Sequence, residues 1–416
     1  MSRLLGHTKS QKMKRWQKVL LLLLAALMLS QIPFAYRRYK LGRLAAAIQQ
    51  LNAIRNPNPD AGDFVEYKGA MHVHSLLGGH SNGSFAAIIE GALANELNFV
   101  VMTEHPAAHF STADMTLKGV HAGILFLNGN EVSTVNGDRL LLVPGNDTAH
   151  DSGRLSIAEI LTREKQRGAL ALVAYPEEFK SWDENQYDGV EVYNVYTNAR
   201  RLNPLVTFFD GVWSYRTYPD LLFATFYERP VASLRLWDQA IARQNRKLVA
   251  VAGNDAHANV GISLRDSTGK TLLGMQLDPY DRSFRLVRVH VLVPRTEPFN
   301  SESLLKAFAA GHAFIGFDLF GDSSGFSFTA TSPLEEKIQG DEISLDAGEI
   351  RLRVRSPVPG RIVLLKDGDV FREEKATQKE FIVGERGAYR VEVYLSQLPS
   401  PVKDQPWIIS NPIYVR

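Results

Sequence analysis

There is no cysteine anywhere in the 416 residues. That single absence removes disulfide frameworks, thiolate metal sites and cysteine nucleophiles, so any metal must be held by His, Asp or Glu. A surplus of either charge is also missing: 47 Lys plus Arg stand against 45 Asp plus Glu, a formal net charge of +2. Such a balance lacks the basic excess of a nucleic-acid binder, and no nucleic-acid partner is expected. Internal repeats are absent, and the only low-complexity tract is one run of leucines near the N-terminus.

That run is the first informative feature. Val19 to Tyr36, VLLLLLAALMLSQIPFAY, carries no charge over eighteen residues, close to the shortest helix that crosses a bilayer. Arg3, Lys9, Lys12, Lys14, Arg15 and Lys18 precede it, and Arg37, Arg38, Lys40 and Arg43 follow. The bias leans towards a cytoplasmic N-terminus, with the body on the periplasmic or extracellular side of a single-pass membrane anchor. A cleaved signal peptide is the rival reading, although no small-x-small cleavage site follows the run. The expected order is a basic tail over 1–18, an anchor over 19–36 and a linker over 37–64 that includes a short helix from Leu41 to Ile54.

From Val65 to about Asp318, short apolar runs alternate with amphipathic stretches. FVVM (99–102), ILFL (124–127), RLLLV (139–143), ALALVAY (169–175), GVEVY (189–193) and KLVAVAG (247–253) read as buried strands. Ser84 to Leu97, Ser156 to Arg167 and Arg229 to Gln244 read as helices between them. Repeated strand-then-helix units predict an α/β fold, either a barrel or an open parallel sheet, with the chemistry at the strand C-termini. Beyond residue 319 the period changes to two, in segments such as EIRLRVRS and YRVEVYL, which predicts a small β-sandwich over 319–416.

Polar groups collect where the apolar runs end. His72 and His74 form an HxH step, His80 lies in the loop HSNG, and His105 closes Thr103-Glu104-His105. Glu131 ends ILFLNGNE, Glu191 and Asn194 lie in DGVEVYN, and Asp255 with His257 follows KLVAVAGN. A lone HxH is weak evidence, because two histidines can be satisfied by ordinary hydrogen bonds. Imidazoles and carboxylates at five successive strand ends make a stronger case for a divalent-metal centre of zinc, manganese or iron, in which Glu131 can bridge two ions.

With these motifs in this order, residues 66–318 resemble the PHP family, named for polymerase and histidinol phosphatase domains. GVEVYN and the C-terminal β-region are similar to its carbamate-hydrolase-like branch. The resemblance implies a distorted (β/α)7 barrel holding one to three metal ions. It assigns His72, His74, His105, Glu131, Asp255 and His257 to the ligand set, with His80 as a further ligand, Glu191 as another, and Asp255 and His257 in catalysis. The chain departs from the family at Tyr175-Pro176, where His-Pro is usual; a phenol is a poor ligand, so Tyr175 is expected, with Asn194 and Arg200, on the substrate side.

The expected activity is a metal-dependent phosphoesterase acting through a metal-bound hydroxide on a phosphorylated small molecule. Two alternatives stay open. One is a carbamate or ester hydrolase using the same metals, and the other is a non-catalytic binding or scaffold module of the cell envelope.

Overall fold

The computed structural model describes residues 13–56, 62–200, 202–225, 227–265 and 271–416. It opens with one continuous helix, α1, Arg15–Ala53, with Pro33 inside it. At about 1.5 Å per residue such a helix is roughly 58 Å long. Its apolar first half is long and apolar enough to cross a membrane and buries none of its residues against the body. The second half behaves differently, because Leu41, Leu44 and Leu51 fall on one face and are buried. Residues 37–53 are therefore a docked continuation of the same helix, where the sequence suggested a linker with a separate short helix.

Each apolar run predicted as a strand forms one. In chain order the strands used below are β1 Phe64–Val73, β2 Phe99–Met102, β3 Ile124–Leu127, β4 Asn130–Ser133, β5 Arg139–Val143, β6 Leu170–Ala174, β7 Gly189–Asn194 and β8 Val249–Gly253. They continue with β9 Arg288–Pro294, β10 Ala313–Gly316, β11 Ile350–Lys366, β12 Asp369–Val383, β13 Gly387–Tyr394 and β14 Pro406–Ser410. Helices Phe85–Ala94 and Ile157–Gln166 start where Ser84 and Ser156 accept a hydrogen bond from the third helical N–H, so a serine fixes each start.

These fourteen strands fall in two sheets, and Gly261–Arg265 with Thr271–Gln276 forms a separate hairpin. One contains the order β3-β2-β1-β9-β10-β14-β13-β11, and the other runs β4-β5-β6-β7-β8. β1, β2 and β3 are mutually parallel, as are β6, β7 and β8, so each sheet sends several C-terminal ends in one direction. Among the described residues no continuous ladder joins the two sheets into a ring. Two isolated bridges, Val73 with Ala256 and Glu104 with Asn130, tie them together beside the site.

The C-terminal strands share the first sheet. β14 pairs with β10, which pairs with β9, which pairs with β1. The boundary read at 318/319 is thus crossed by a ladder, and the C-terminal region covers what would otherwise be an open edge at β10. A buried charge network makes the same connection from the side. Arg390 on β13 pairs with Asp238 on helix Val231–Gln244 and with Glu392, which also takes both arms of Arg229.

Candidate metal centre

β1 does not run straight into the site. Its register with β2 shifts between Ala70 and Val73, and His72 takes a positive φ of 60°. Tyr175, just past β6, and Asp255, just past β8, also have positive φ, 49° and 47°. A left-handed backbone at a residue with a side chain costs on the order of 1–3 kcal/mol, and it persists where the surroundings hold it for a purpose. Three such residues converge here from three strand ends. The bulge also alters the simple picture of HxH on one strand face, since His72 lies in the irregular end of β1 and His74 lies beyond it.

His72, His74, Glu131 and Asp255 are all buried and bring one ligand atom each within 4.8 Å of the others. His74, His105 and His257 form a second, overlapping group within the same limit. Glu131 Oε2 stands 3.1 Å from His72 Nε2, 3.4 Å from His74 Nε2 and 3.3 Å from His105 Nε2. Asp255 Oδ1 lies 3.5 Å from both His72 Nε2 and His74 Nε2. Glu131 Oε2 thus faces imidazoles of both groups.

Two observations favour a cation over a closed hydrogen-bond network. First, His74 Nδ1 and Nε2, Asp255 Oδ1 and His257 Nε2 are buried with no hydrogen-bond partner, and buried polar atoms are seldom left so. Second, three buried carboxylates, Glu131, Glu191 and Asp255, sit together. Among the described residues, Arg139 is the only permanent cation bonded to any of them, at 3.2 Å from Glu131. Burying that much negative charge is costly without a counter-charge. The residues present thus fit a divalent ion with nitrogen and oxygen ligands.

The electrostatics agree. Burial pulls His105 down to about 3 and His257 down to about 4, which keeps both imidazoles in the neutral form that a metal needs. Burial also opposes charge on His72, but Glu191, Asp255 and Glu131 outweigh it and raise its pKa well above the ordinary value. His74 is raised likewise, with Asp255 and Glu131 overcoming burial. Without an ion, protons on these two histidines would answer the same negative field.

Glu191 does not join either group. Its Oε1 lies 2.6 Å from His72 Nδ1, the nitrogen turned away from Glu131, and its Oε2 accepts from Asn194 at 3.1 Å. Expected as a ligand, it lies behind His72 instead, and a carboxylate in that place fixes the tautomer and angle of an imidazole that holds a metal. Gly253 makes this contact possible, because a Cβ there would lie 1.7 Å from Glu191 Oε1. Asn194 Nδ2 also reaches Asp255 Oδ2 at 3.3 Å, so it braces the carboxylates from inside the protein.

Tyr175 donates its hydroxyl to Asp255 Oδ2 at 2.7 Å. Burial and the neighbouring Asp255, Glu131 and Glu191 carboxylates push its pKa far above the ordinary phenol range. It is a neutral donor that orients Asp255. His80 is in neither ligand group, although its ring lies 4.1 Å from that of His105 and 4.9 Å from that of His257. It shares with His105, Glu131, Arg139, Tyr175, Arg200, Asp255 and His257 the wall of an open cleft of about 340 Å³. Arg200, on the rim, lies 3.9 Å from Glu178. His109, four residues past His105, is exposed.

Sequence reasoning missed three residues. Arg139 opens the run RLLLV, and a charge at the head of an apolar strand was the signal; its guanidinium lies over the Tyr175 ring at 4.9 Å. Ser81 and Tyr280 clamp the loops: Tyr280 donates to the His74 carbonyl at 2.5 Å, and Ser81 to the His257 carbonyl at 2.6 Å. Nothing in the local sequence of Tyr280 announces that role.

No family model matches this chain, and no curated protein does. Among solved structures it is similar to a two-domain protein of Bacteroides vulgatus described as containing a predicted PHP-like metal-dependent phosphoesterase. The identity is 14%, over 85% of this chain and 97% of that one, with a TM-score of 0.39. PsfC from Pseudomonas syringae is similar at 11% identity over 59% of this chain and 89% of its own, with a TM-score of 0.37. The lesion-specific endonuclease PfuEndoQ from Pyrococcus furiosus is similar at 14% identity over 66% and 64%, with a TM-score of 0.36. At such distances these are likenesses only, and the functional reading stands on this chain's own residues.

Proposed function

We propose that this chain is a metal-dependent phosphoester hydrolase anchored in a membrane by residues 19–36. The observation that carries the reading is the convergence of unpartnered buried atoms on His74, Asp255 and His257 with the Glu131 carboxylate at one end of a cleft. A bound divalent ion would supply Lewis acidity and activate water at neutral pH. His72, His74, His105, Glu131, Asp255 and His257 would hold it, with His80 at the edge of the same cleft.

The chain's own contribution is positioning and charge. Glu191 sets His72, and Tyr175 with Asn194 sets Asp255. Arg139 and Arg200 line the cleft, and a planar fork of N–H donors matches phosphate oxygens. Hydrolysis adds water across a P–O bond: phosphorus keeps the water oxygen, and the departing alcohol leaves with a proton. The uncharged stretch 19–36 of α1, none of it buried against the body, supports the anchor, since a helix that is apolar nearly all round needs a non-aqueous environment.

The test uses the full chain with added manganese, zinc or iron, beside His74→Ala. The panel holds soluble phosphate mono- and diesters, a carbamate ester and a single-stranded oligonucleotide, because net charge alone argued against nucleic acid. Metal-dependent release of phosphate or alcohol, lost in His74→Ala, supports the proposal. Turnover of the carbamate alone moves the activity to carbonyl chemistry, and no turnover with any metal leaves a binding module.

A further inference from the structure

The cleft is not the only cavity that reaches Asp255. A second cavity of about 160 Å³, mostly apolar, lies behind Tyr196 and Asp255, which line both. Val195, Leu222 and Phe223 form part of its wall, and helix Pro204–Ser214 closes it with Thr207 and Gly211. The same helix turns Leu205, Phe208 and Val212 outwards, 66%, 50% and 64% exposed. Their spacing of three and four puts them on one face, and nothing in the protein covers that face among the described residues.

What stands beside the helix is the end of the apolar stretch of α1. Phe209 packs on Phe34 with ring centroids 5.0 Å apart, Trp213 donates to Gln31 at 3.0 Å, and Asp210 pairs with Arg37. These contacts fall on the last turns of residues 19–36 and the first cation after them. With that stretch in a bilayer, helix Pro204–Ser214 lies at the headgroup level, its apolar stripe and Trp213 at the boundary where amphipathic helices and tryptophans settle. The apolar cavity then faces the membrane side, while the polar cleft with Arg139 and Arg200 shares Asp255 and Tyr196 with it.

We propose that the substrate is a phosphoester of a membrane lipid, its apolar chain held in the cavity against Gly211 and its phosphate in the cleft. The inference rests on the phosphoester reading above and adds the substrate class. The phosphorus–oxygen bond to the lipid alcohol breaks, water supplies the new oxygen on phosphorus, and the lipid alcohol departs protonated. Tyr196, half exposed between the two cavities, is the side chain the chain must pass.

The experiment places the full chain in lipid nanodiscs with manganese or zinc and compares butyl and hexadecyl phosphate esters. Gly211→Leu fills the cavity from a position where a Cβ meets nothing within 4 Å. The expected result is a kcat/KM about tenfold or more higher for the hexadecyl ester, with Gly211→Leu bringing the ratio near one. Equal rates for both esters in the wild type, or an unchanged ratio in Gly211→Leu, overturn the lipid inference and leave the hydrolase intact. Failure of both esters with every metal removes the phosphoester reading, and this inference with it. Should Gly211→Leu also lose the butyl activity, Ala199→Leu fills the same cavity and is judged by the same ratio.

Discussion

Two places in this molecule bury several charges at once, and they treat them in opposite ways. Around β13, Arg390 and Arg229 face Asp238 and Glu392, two positive groups against two negative ones, and Tyr394 donates to Glu392 at 2.6 Å. No buried atom of these four charged side chains lacks a partner among the described residues. At the strand ends of β1, β6 and β8, three carboxylates meet with one guanidinium, and imidazole and carboxylate atoms are left unpartnered. A charge network that serves structure closes on itself, whereas one that serves chemistry leaves atoms open for something that is not protein.

Breaking one member of each network tests that contrast. The largest effect is expected from Asp255→Asn, which should lower phosphoester hydrolysis by roughly a thousandfold, the scale of removing one member of a catalytic unit. In metal-free protein the same change should also cost stability, because Asp255 is a charge partner of His72 and His74. Arg390→Met should act on stability and not on turnover, destabilising by about 3–5 kcal/mol in denaturant unfolding because it strands Asp238 and Glu392 as buried charges. If both variants destabilise equally and neither alters turnover, the contrast is lost.

A third buried cluster sharpens it through pH. His290 on β9 lies between Glu66, 2.6 Å from Nδ1, and Asp318, 3.2 Å from Nε2. Burial alone would lower its pKa, but Asp318 and Glu66 outweigh burial and carry it to about 9. A folded-state pKa raised above the unfolded value of 6.5 gives stability that is complete below 6.5 and is lost as pH climbs through about 9. The loss should be on the order of 3 kcal/mol, read as a falling unfolding midpoint in wild type and a flatter profile in His290→Gln.

The smallest of these effects belongs to the residue behind the ligands. Glu191→Gln keeps the shape but weakens the hold on His72 Nδ1, and metal affinity measured by competition with a chelator should fall by about 10–100-fold. An unchanged affinity would show that Glu191 braces the fold and does not tune the centre.

Much of this was legible in the sequence because burial writes itself into composition. The six apolar runs became strands since a strand buried on both faces must be apolar throughout. The clustering of the candidate ligand residues was legible because a polar side chain that ends such a run has few places to point other than the strand-end cavity. What stayed hidden depends on partners distant in the chain. The pairing of β14 with β10 joins Ser410 to Phe314, and no local pattern in either segment encodes it. Glu191 reads as one more strand-end carboxylate until His72 Nδ1 is found 2.6 Å away. Residues 37–53 read as a linker holding a short Ala- and Leu-rich helix; the spacing of Leu41, Leu44 and Leu51 shows its meaning only against a body to pack on.

Elemental analysis of the full chain, purified without chelator and set beside His72→Ala/His74→Ala, tests the central claim most directly. The account predicts at least one tightly held divalent ion per chain in the wild type, absent from a variant that still folds. A folded wild type that holds no divalent ion, and takes none up from added manganese, zinc or iron, would contradict it.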